Sequence, residues 1–326
     1  MNPVLLTIGI AVSLAVAEGI ARWTGARPWP ASSAPATEPA VYELDALLGW
    51  KSKPGAHRFP ATVSHGPLRF TIWPDGSRAT GPQAIERTTR VVLVGDSFTQ
   101  GYEVSDEETY AWKLQQRFPA TRFVNYGTGG YSTYQSLLRM RLALKGPRDG
   151  STLVLYGLTD YQELRNVGDL SWLIGLSLAS YRGHVYVPYC LLGRAGRLVR
   201  HPPARYPAWP FRETSALVNT LEMRYFVSTT RGRQQQAPPV TERLLASMAH
   251  ASAARDARLV VLLLSTAASH EHYARFLAAR GIPFVDCDFP TTPDMLVGGV
   301  GGHPNGELHT RWADCIAERL QDGLPG

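Results

Sequence analysis

The sequence predicts an α/β fold built on a mostly parallel, doubly wound sheet. Five short β-branched or leucine-rich runs recur along the chain, at 90–94 (RVVLV), 122–126 (RFVNY), 152–156 (TLVLY), 259–264 (LVVLLL) and 282–285 (IPFV). Helical patterns, two of them opened by capping signals, lie between these runs. Strands that alternate with helices pair in parallel through crossover connections. A hydrophobic share of 44% against 18% charged residues supports a large core and excludes a disordered chain.

Val4 to Ala17 (VLLTIGIAVSLAVA) is an uncharged apolar run with the length of a secretory h-region, and extension to Trp23 makes it long enough to cross a bilayer. The extension includes Glu18 and Arg22, four residues apart on one helix face, where they can pair. Two readings stand. Cleavage after Ala15-Val16-Ala17 would release the protein, and retention would leave an anchor. Met1-Asn2-Pro3 carries no Lys or Arg, and Arg22 and Arg27 follow the run. The positive-inside rule taken alone would then keep the remainder in the cytoplasm. The favoured expectation is an anchored, extracytoplasmic domain on the periplasmic face of the inner membrane. Residues 1–27 form this signal or anchor. Residues 28–40 (PWPASSAPATEPA) read as a Pro/Ala/Ser tether, and 41–87, with turn signals at Gly49-Trp50, Pro54-Gly55 and Asp75-Gly76, as a β-rich flap.

The main domain spans 88–326. After the first strand, Ser105-Asp106-Glu107-Glu108 is a capping box ahead of a helix with Ala111, Leu114 and Phe118 on one face. Ser132 and Gln135 form a second box, opening a helix to about Leu144. Further helices are expected at 241–255, 270–280 and 306–320. Residues 160–240 interrupt the alternation. From 181 to 243 there are ten Arg against three Glu, so this insertion reads as a basic cap or as a solvated structural segment.

The net charge of +6 is diffuse, and only four of the 33 basic residues are Lys. No recognition helix, RNA-binding aromatic signature or Lys/Arg block appears, so nucleic acid is not an expected partner. Cys190, Cys287 and Cys315 are isolated, without zinc spacing. Cys287 and Cys315 could form a disulfide if the domain is exported.

The chemistry gathers at strand ends. Gly95-Asp96-Ser97-Phe98-Thr99-Gln100-Gly101 places Ser97 at a strand-to-helix turn, near free backbone N–H groups. Asn125-Tyr126-Gly127-Thr128-Gly129-Gly130-Tyr131 puts glycines where a backbone amide can point at an oxyanion. Gly302-His303-Pro304-Asn305 precedes the last helix, and His303 could serve as general base to Ser97. His309 is the alternative base, although it falls inside the helix.

In this order and on these elements, the three segments resemble the SGNH (GDSL-type) hydrolase superfamily. Leu48-Gly49-Trp50, Lys53-Pro54-Gly55 and Asp75-Gly76-Ser77-Arg78 look like its membrane-anchored bacterial members. The resemblance implies a three-layer α/β/α sandwich with a flavodoxin-like sheet, no metal and no cofactor. It implies Ser97 as nucleophile, His303 as base, and the N–H groups of Ser97 and Gly127 in the oxyanion hole. It also implies an ester of a carbohydrate or small acyl group as substrate.

Two departures stand out. The family's Gly-x-Asn-Asp block reads Gly157-Leu158-Thr159-Asp160, so Thr159, or Asn166 six residues past Asp160, would have to supply the third oxyanion donor. The family's Asp two or three residues before the His is replaced by Gly301 and Val300. Asp286, Asp288 and Asp294 are the candidates to orient His303. The expected function is therefore a serine esterase. The alternatives are an O-acyltransferase acting on envelope polysaccharide with a membrane acyl-donor partner, and a catalytically weakened carbohydrate-binding relative.

Overall fold

A computed structural model of the chain describes residues 2–29, 41–59, 67–83, 89–145, 151–179, 186–266, 269–299 and 302–321. In chain order the first elements are α1 (Pro3–Trp23), the strands β1 (Tyr42–Asp45), β2 (Gly49–Ser52), β3 (Gly55–Phe59), β4 (Leu68–Ile72) and β5 (Arg90–Val94), then α2 (Ser97–Gln100), α3 (Tyr110–Arg117), β6 (Arg122–Asn125), α4 (Thr133–Ala143) and β7 (Thr152–Thr159). There follow α5 (Tyr161–Asn166), α6 (Leu170–Ala179), β8 (Val187–Leu192), β9 (Leu198–Ala204), α7 (Ala216–Gln234), α8 (Ala237–Ala253), β10 (Ala257–Ser265), α9 (His270–Ala279), β11 (Phe284–Asp286) and α10 (Gly306–Gln321).

The chain forms two compact units. One comprises Met1–Glu38, Asp169–Val185 and Arg205–Gln235; the other comprises Pro39–Gly168, Tyr186–Ala204 and Gln236–Gly326. The insertion at 160–240, read from the sequence as a basic cap or a solvated structural segment, is divided between the two units. Its hairpin β8–β9 belongs with the sheet, while α6 and α7 group with α1.

The larger unit holds a five-stranded sheet in the order β6-β5-β7-β10-β11, with every pair parallel. Numbered along the sheet's own chain order this is 2-1-3-4-5, the flavodoxin-like arrangement. Val91 and Leu93 on β5, Leu155 on β7 and Val260 and Leu262 on β10 turn to one face, where Leu114 of α3 and Trp312 and Ile316 of α10 close the core. Helices α4 and α8 pack on β5 and β10 from the other side, completing three layers. Four of the five β5 residues are buried, as a strand covered on both faces requires.

Local signals explain most boundaries. The Ser132/Gln135 box caps α4 as expected. The Ser105/Glu108 box instead caps a single 3₁₀ turn at Asp106–Glu108, and Thr109 caps α3 separately. Helix α8 starts at Ala237 rather than 241, because Pro238 suits the first turn of a helix. β7 runs past the expected end at Tyr156, through Gly157 and Leu158 to Thr159. The flap is β-rich: β1 pairs with β2 and β3 with β4, both antiparallel. The expected tether falls almost wholly outside the described residues.

In the smaller unit, α1 is a 21-residue helix with no buried residue. Its Thr7 and Ser13 hydroxyls donate to the Pro3 and Gly9 carbonyls, four residues back, which hides their polarity inside the helix. Arg22 Nε pairs with Glu18 Oε1 at 2.6 Å. Glu18 then caps α7, accepting from Ser215 Oγ (2.7 Å) and from the N–H groups of Ala216 and Leu217 (both 2.9 Å). The two charges at the end of the apolar run therefore form the joint between α1 and α7.

Candidate active site

Ser97 opens the short helix α2 directly after β5. Asp96 is its N-cap, with Oδ1 accepting the Phe98 N–H at 3.0 Å. Three glycines, two just past strand ends and Gly157 within β7, make room for this turn. A Cβ on Gly95 or Gly157 would lie 2.2 Å from Thr99 Oγ1, and one on Gly127 would lie 2.5 Å from the Gln100 nitrogen. The glycines that marked the motifs are thus required by close approach of the serine turn to its neighbouring strands. Asn125 secures the same turn by donating from Nδ2 to the Thr99 carbonyl at 2.8 Å. Ser97 is 7% exposed, and among the described residues none accepts its N–H.

His303 stands against this loop. Its ring centroid lies 6.1 Å from Phe98, the residue after the serine, and 4.9 Å from Tyr102. Its Nδ1 meets Glu103 Oε2 at 2.9 Å, which leaves Nε2 as the nitrogen for proton transfer. Among the described residues no hydrogen bond joins Ser97 Oγ to His303. The His303 loop is pinned on both sides. The Val297 N–H donates to the His303 carbonyl at 2.8 Å and the Asn305 N–H to that of Met295 at 2.9 Å. Asn305 Oδ1 also accepts the Glu307 N–H at 3.0 Å, at the start of α10. A disulfide joins Cys287 to Cys315 around the whole segment.

The carboxylate on His303 is therefore Glu103, not Asp286, Asp288 or Asp294. Asp286 bonds His270 at 2.9 Å, and Asp288 accepts from the Thr266 N–H and hydroxyl. Asp294 offers only its backbone carbonyl to the loop, taken by Asn305 Nδ2 at 2.6 Å. Its carboxylate is bonded to Thr292, which holds it below the usual carboxylate range. Val300 and Gly301, at the family's acid position, lie outside the described residues. The sequence held one pointer to Glu103, an acid in the serine loop six residues past the nucleophile. Glu103 adopts φ 66°, a left-handed conformation uncommon for non-glycine residues, shared among the described residues with Ala195, Phe211 and Asp256.

The expected oxyanion donors fare unequally. The Ser97 N–H is open, whereas the Gly127 N–H donates to Asn125 Oδ1 at 2.9 Å. The Thr159 hydroxyl donates to Asp96 Oδ2 at 2.8 Å. Thr159 thus braces the serine's neighbour instead of facing a substrate. Asn166 is fully buried, bonded to Thr133, Thr241 and the Tyr134 N–H, and knits α5 to α4 and α8. Asp96, also fully buried, pairs with Arg165 Nη1 at 3.2 Å, so the carboxylate beside the nucleophile is held by a cap bond, a hydroxyl and a guanidinium.

His309 is not a base. It is fully buried, stacks on Tyr110 at 5.7 Å and accepts the Tyr110 N–H through Nδ1 at 3.3 Å. Burial pushes its pKa down to about 3, with the nearby Arg78 adding to the effect.

The flap supplies what holds Glu103. Arg78 is buried, pairs through Nε with Asp106 Oδ1 at 2.9 Å, and donates to the Gly101 and Val104 carbonyls at 3.3 and 2.9 Å. Its guanidinium lies 3.5 Å over the Phe70 ring. Burial lowers its pKa to about 10, against the pull of Asp106, so it stays charged at neutral pH. This one side chain clamps both ends of the Gly101–Val104 stretch. Tyr42 OH, at 2.7 Å, and the Gly129 N–H, at 2.9 Å, both donate to Gln100 Oε1, tying the flap and the glycine turn to α2. Among the described residues no group of three or more His, Cys, Asp or Glu is placed to hold a metal ion.

No family model matches the chain, and no curated protein does. Solved structures do. A lipolytic protein of the G-D-S-L family from Veillonella parvula is 13% identical, with 72% of this chain and 98% of that one covered and a TM-score of 0.42. TesA is 15% identical, with coverages of 72% and 99% and a TM-score of 0.41. A catalytic mutant of Axe2, an acetylxylan esterase from Geobacillus stearothermophilus, is 12% identical, with coverages of 73% and 96% and a TM-score of 0.40. In fold, this chain is similar to TesA, to a lipolytic protein of the G-D-S-L family and to an acetylxylan esterase.

Proposed function

We propose that the chain is an SGNH-type serine hydrolase that cleaves an oxygen ester of a carbohydrate or a small acyl group. The observation that carries this reading is the Glu103–His303 bond at 2.9 Å, formed beside the Ser97 turn with the imidazole packed on Phe98 and Tyr102. Ser97 Oγ attacks the ester carbonyl while His303 Nε2 takes its proton. The Ser97 N–H meets the oxyanion. The C–O bond to the alcohol breaks, and His303 returns the proton to the departing oxygen. Water, deprotonated by the same nitrogen, then attacks the acyl-serine and releases the acid. Glu103 holds the ring and balances the imidazolium; it does not itself react.

A fluorophosphonate probe tests the nucleophile. The parent protein takes the label and Ser97→Ala does not; equal labelling of the two would refute the assignment. The transferase alternative uses the same pair, and free acid released against acyl group moved to an added glycan separates them. The case for a weakened relative rested partly on His303 lacking an acid, and Glu103 supplies one.

Placement outside the cytoplasm, anchored by α1, belongs to the same proposal. Twenty-one residues at about 1.5 Å each reach the thickness of a bilayer core. The Cys287–Cys315 disulfide favours an oxidising compartment. Of the two arginines that argue for the opposite topology, Arg22 is paired with Glu18 and donates to the Thr214 carbonyl, while Arg27 forms no ion pair among the described residues.

A further inference from the structure

The smaller unit carries a groove that the proposed hydrolysis does not use. It lies between the end of α1 and the flank of α7 and measures about 710 Å³. Ala26 and Arg27 form one wall. On α7, Thr220, Arg224, Val227 and Arg231 fall at i, i+4, i+7 and i+11 and so share one face. Every charged residue in the lining is an arginine. Among the described residues none of Arg27, Arg224 or Arg231 forms an ion pair, whereas Arg22 and Arg212 of the same unit pair with Glu18 and Glu222. Val227, 54% exposed, sits between two of these cations, and Met223 also lines the groove.

The surroundings in this unit are those of a membrane interface. The groove begins three residues past the end of the apolar helix. Trp23, the last residue of α1, is 87% exposed. Tyr225 is exposed as well, and amphipathic aromatics such as Trp and Tyr sit at the headgroup level of bilayers. The Glu18 joint fixes the start of α7 to the end of α1, and further along α7 Arg224 and Arg231 share the groove with Ala26 and Arg27.

We infer that this groove binds the headgroup of an anionic membrane phospholipid. Arg27, Arg224 and Arg231 surround the phosphate, and Met223 and Val227 carry the first methylenes of the acyl chains. Among the described residues these three arginines form no ion pair and no acid lines the groove, which gives it the sign of charge that an anionic phosphate requires, and the groove begins where the apolar helix ends. The inference rests on α1 lying in the membrane, and it does not depend on the chemistry at Ser97.

The test uses the full chain in phosphatidylcholine bilayers holding a trace of spin-labelled lipid. The motionally restricted fraction is compared for labelled phosphatidylglycerol and labelled phosphatidylcholine. Phosphatidylglycerol is expected to be preferred by about fivefold for each arginine engaged. The preference is expected to fall to parity in R224E/R231E, to an intermediate value in R224Q/R231Q, and to stay intact in R275E on the other unit. Parity in the parent, or a preference that survives R224E/R231E, overturns the inference. Inorganic phosphate that abolishes the preference at constant ionic strength overturns it too, by showing a site for a free anion. Alkaline extraction of the parent from the bilayer would remove its premise. Circular dichroism checks that the variants, all altered at exposed positions, are folded.

Discussion

Replacing Glu103 by Gln keeps the length of the side chain and removes its charge, which isolates what that charge does for His303. The gain arises as the imidazole takes the Ser97 proton, when an imidazolium forms beside a carboxylate whose Oε2 is 2.9 Å from Nδ1. With the charge centres about 4 Å apart, Coulomb's law gives about 4 kcal/mol at an effective dielectric of about 20. The His303 and Glu103 side chains are 32% and 28% exposed, so water screens the pair. Halving the attraction leaves about 2 kcal/mol, or about a thirtyfold loss in kcat/KM. Glu103→Ala loses the orienting bond as well and should cost more. The assay is hydrolysis of p-nitrophenyl acetate, with Ser97→Ala as the inactive control and chemical denaturation to check folding. Asp286→Asn, Asp288→Asn and Asp294→Asn should leave kcat/KM within about twofold of the parent. If both Glu103 variants also stay within that margin while Ser97→Ala is inactive, the assignment of Glu103 is refuted. A loss confined to one of the three Asp variants would transfer the role to that residue.

Three further outcomes are expected. Arg78→Met leaves Asp106 buried without its partner and frees the Glu103 stretch. Urea denaturation should show a loss of about 3–5 kcal/mol, with activity reduced in the fraction that remains folded. Loss of the Cys287–Cys315 bridge in the double Ser variant opens a loop of 28 residues; chain entropy puts the cost at about 3–4 kcal/mol, read as a lower denaturation midpoint that reductant no longer shifts. His309 is held neutral, with a folded pKa of about 3 against about 6.5 in the unfolded chain. The unfolded state therefore binds the extra proton between these values. Stability from this group is complete above pH 6.5 and falls by up to about 1.4 kcal/mol per unit as pH drops towards 3. His309→Gln should flatten that slope in acid denaturation curves.

The five strands of the central sheet, the cap of α4, the β-rich flap, the serine turn and the histidine loop are all legible in the order of the residues. These are local matters. Runs such as RVVLV are legible because a doubly covered strand needs apolar residues at successive positions, and Ser132 with Gln135 is legible because a capping box closes within four residues. Gly95, Gly127 and Gly157 could be read as permissive, but not as required; that needed Thr99 and Gln100 set against them by three separate strands. Which acid meets His303 becomes visible once the chain is folded, because Glu103 and His303 are 200 residues apart and no periodicity connects them. It also turned Thr159 towards Asp96 and buried Asn166 between helices, since a side chain at a strand end or in a short helix acquires its partner only when the neighbouring elements pack. The division of the insertion was hidden for the same reason. Composition shows that residues 160–240 are basic and aromatic, but only packing separates the hairpin that joins the sheet from the helices that group with α1.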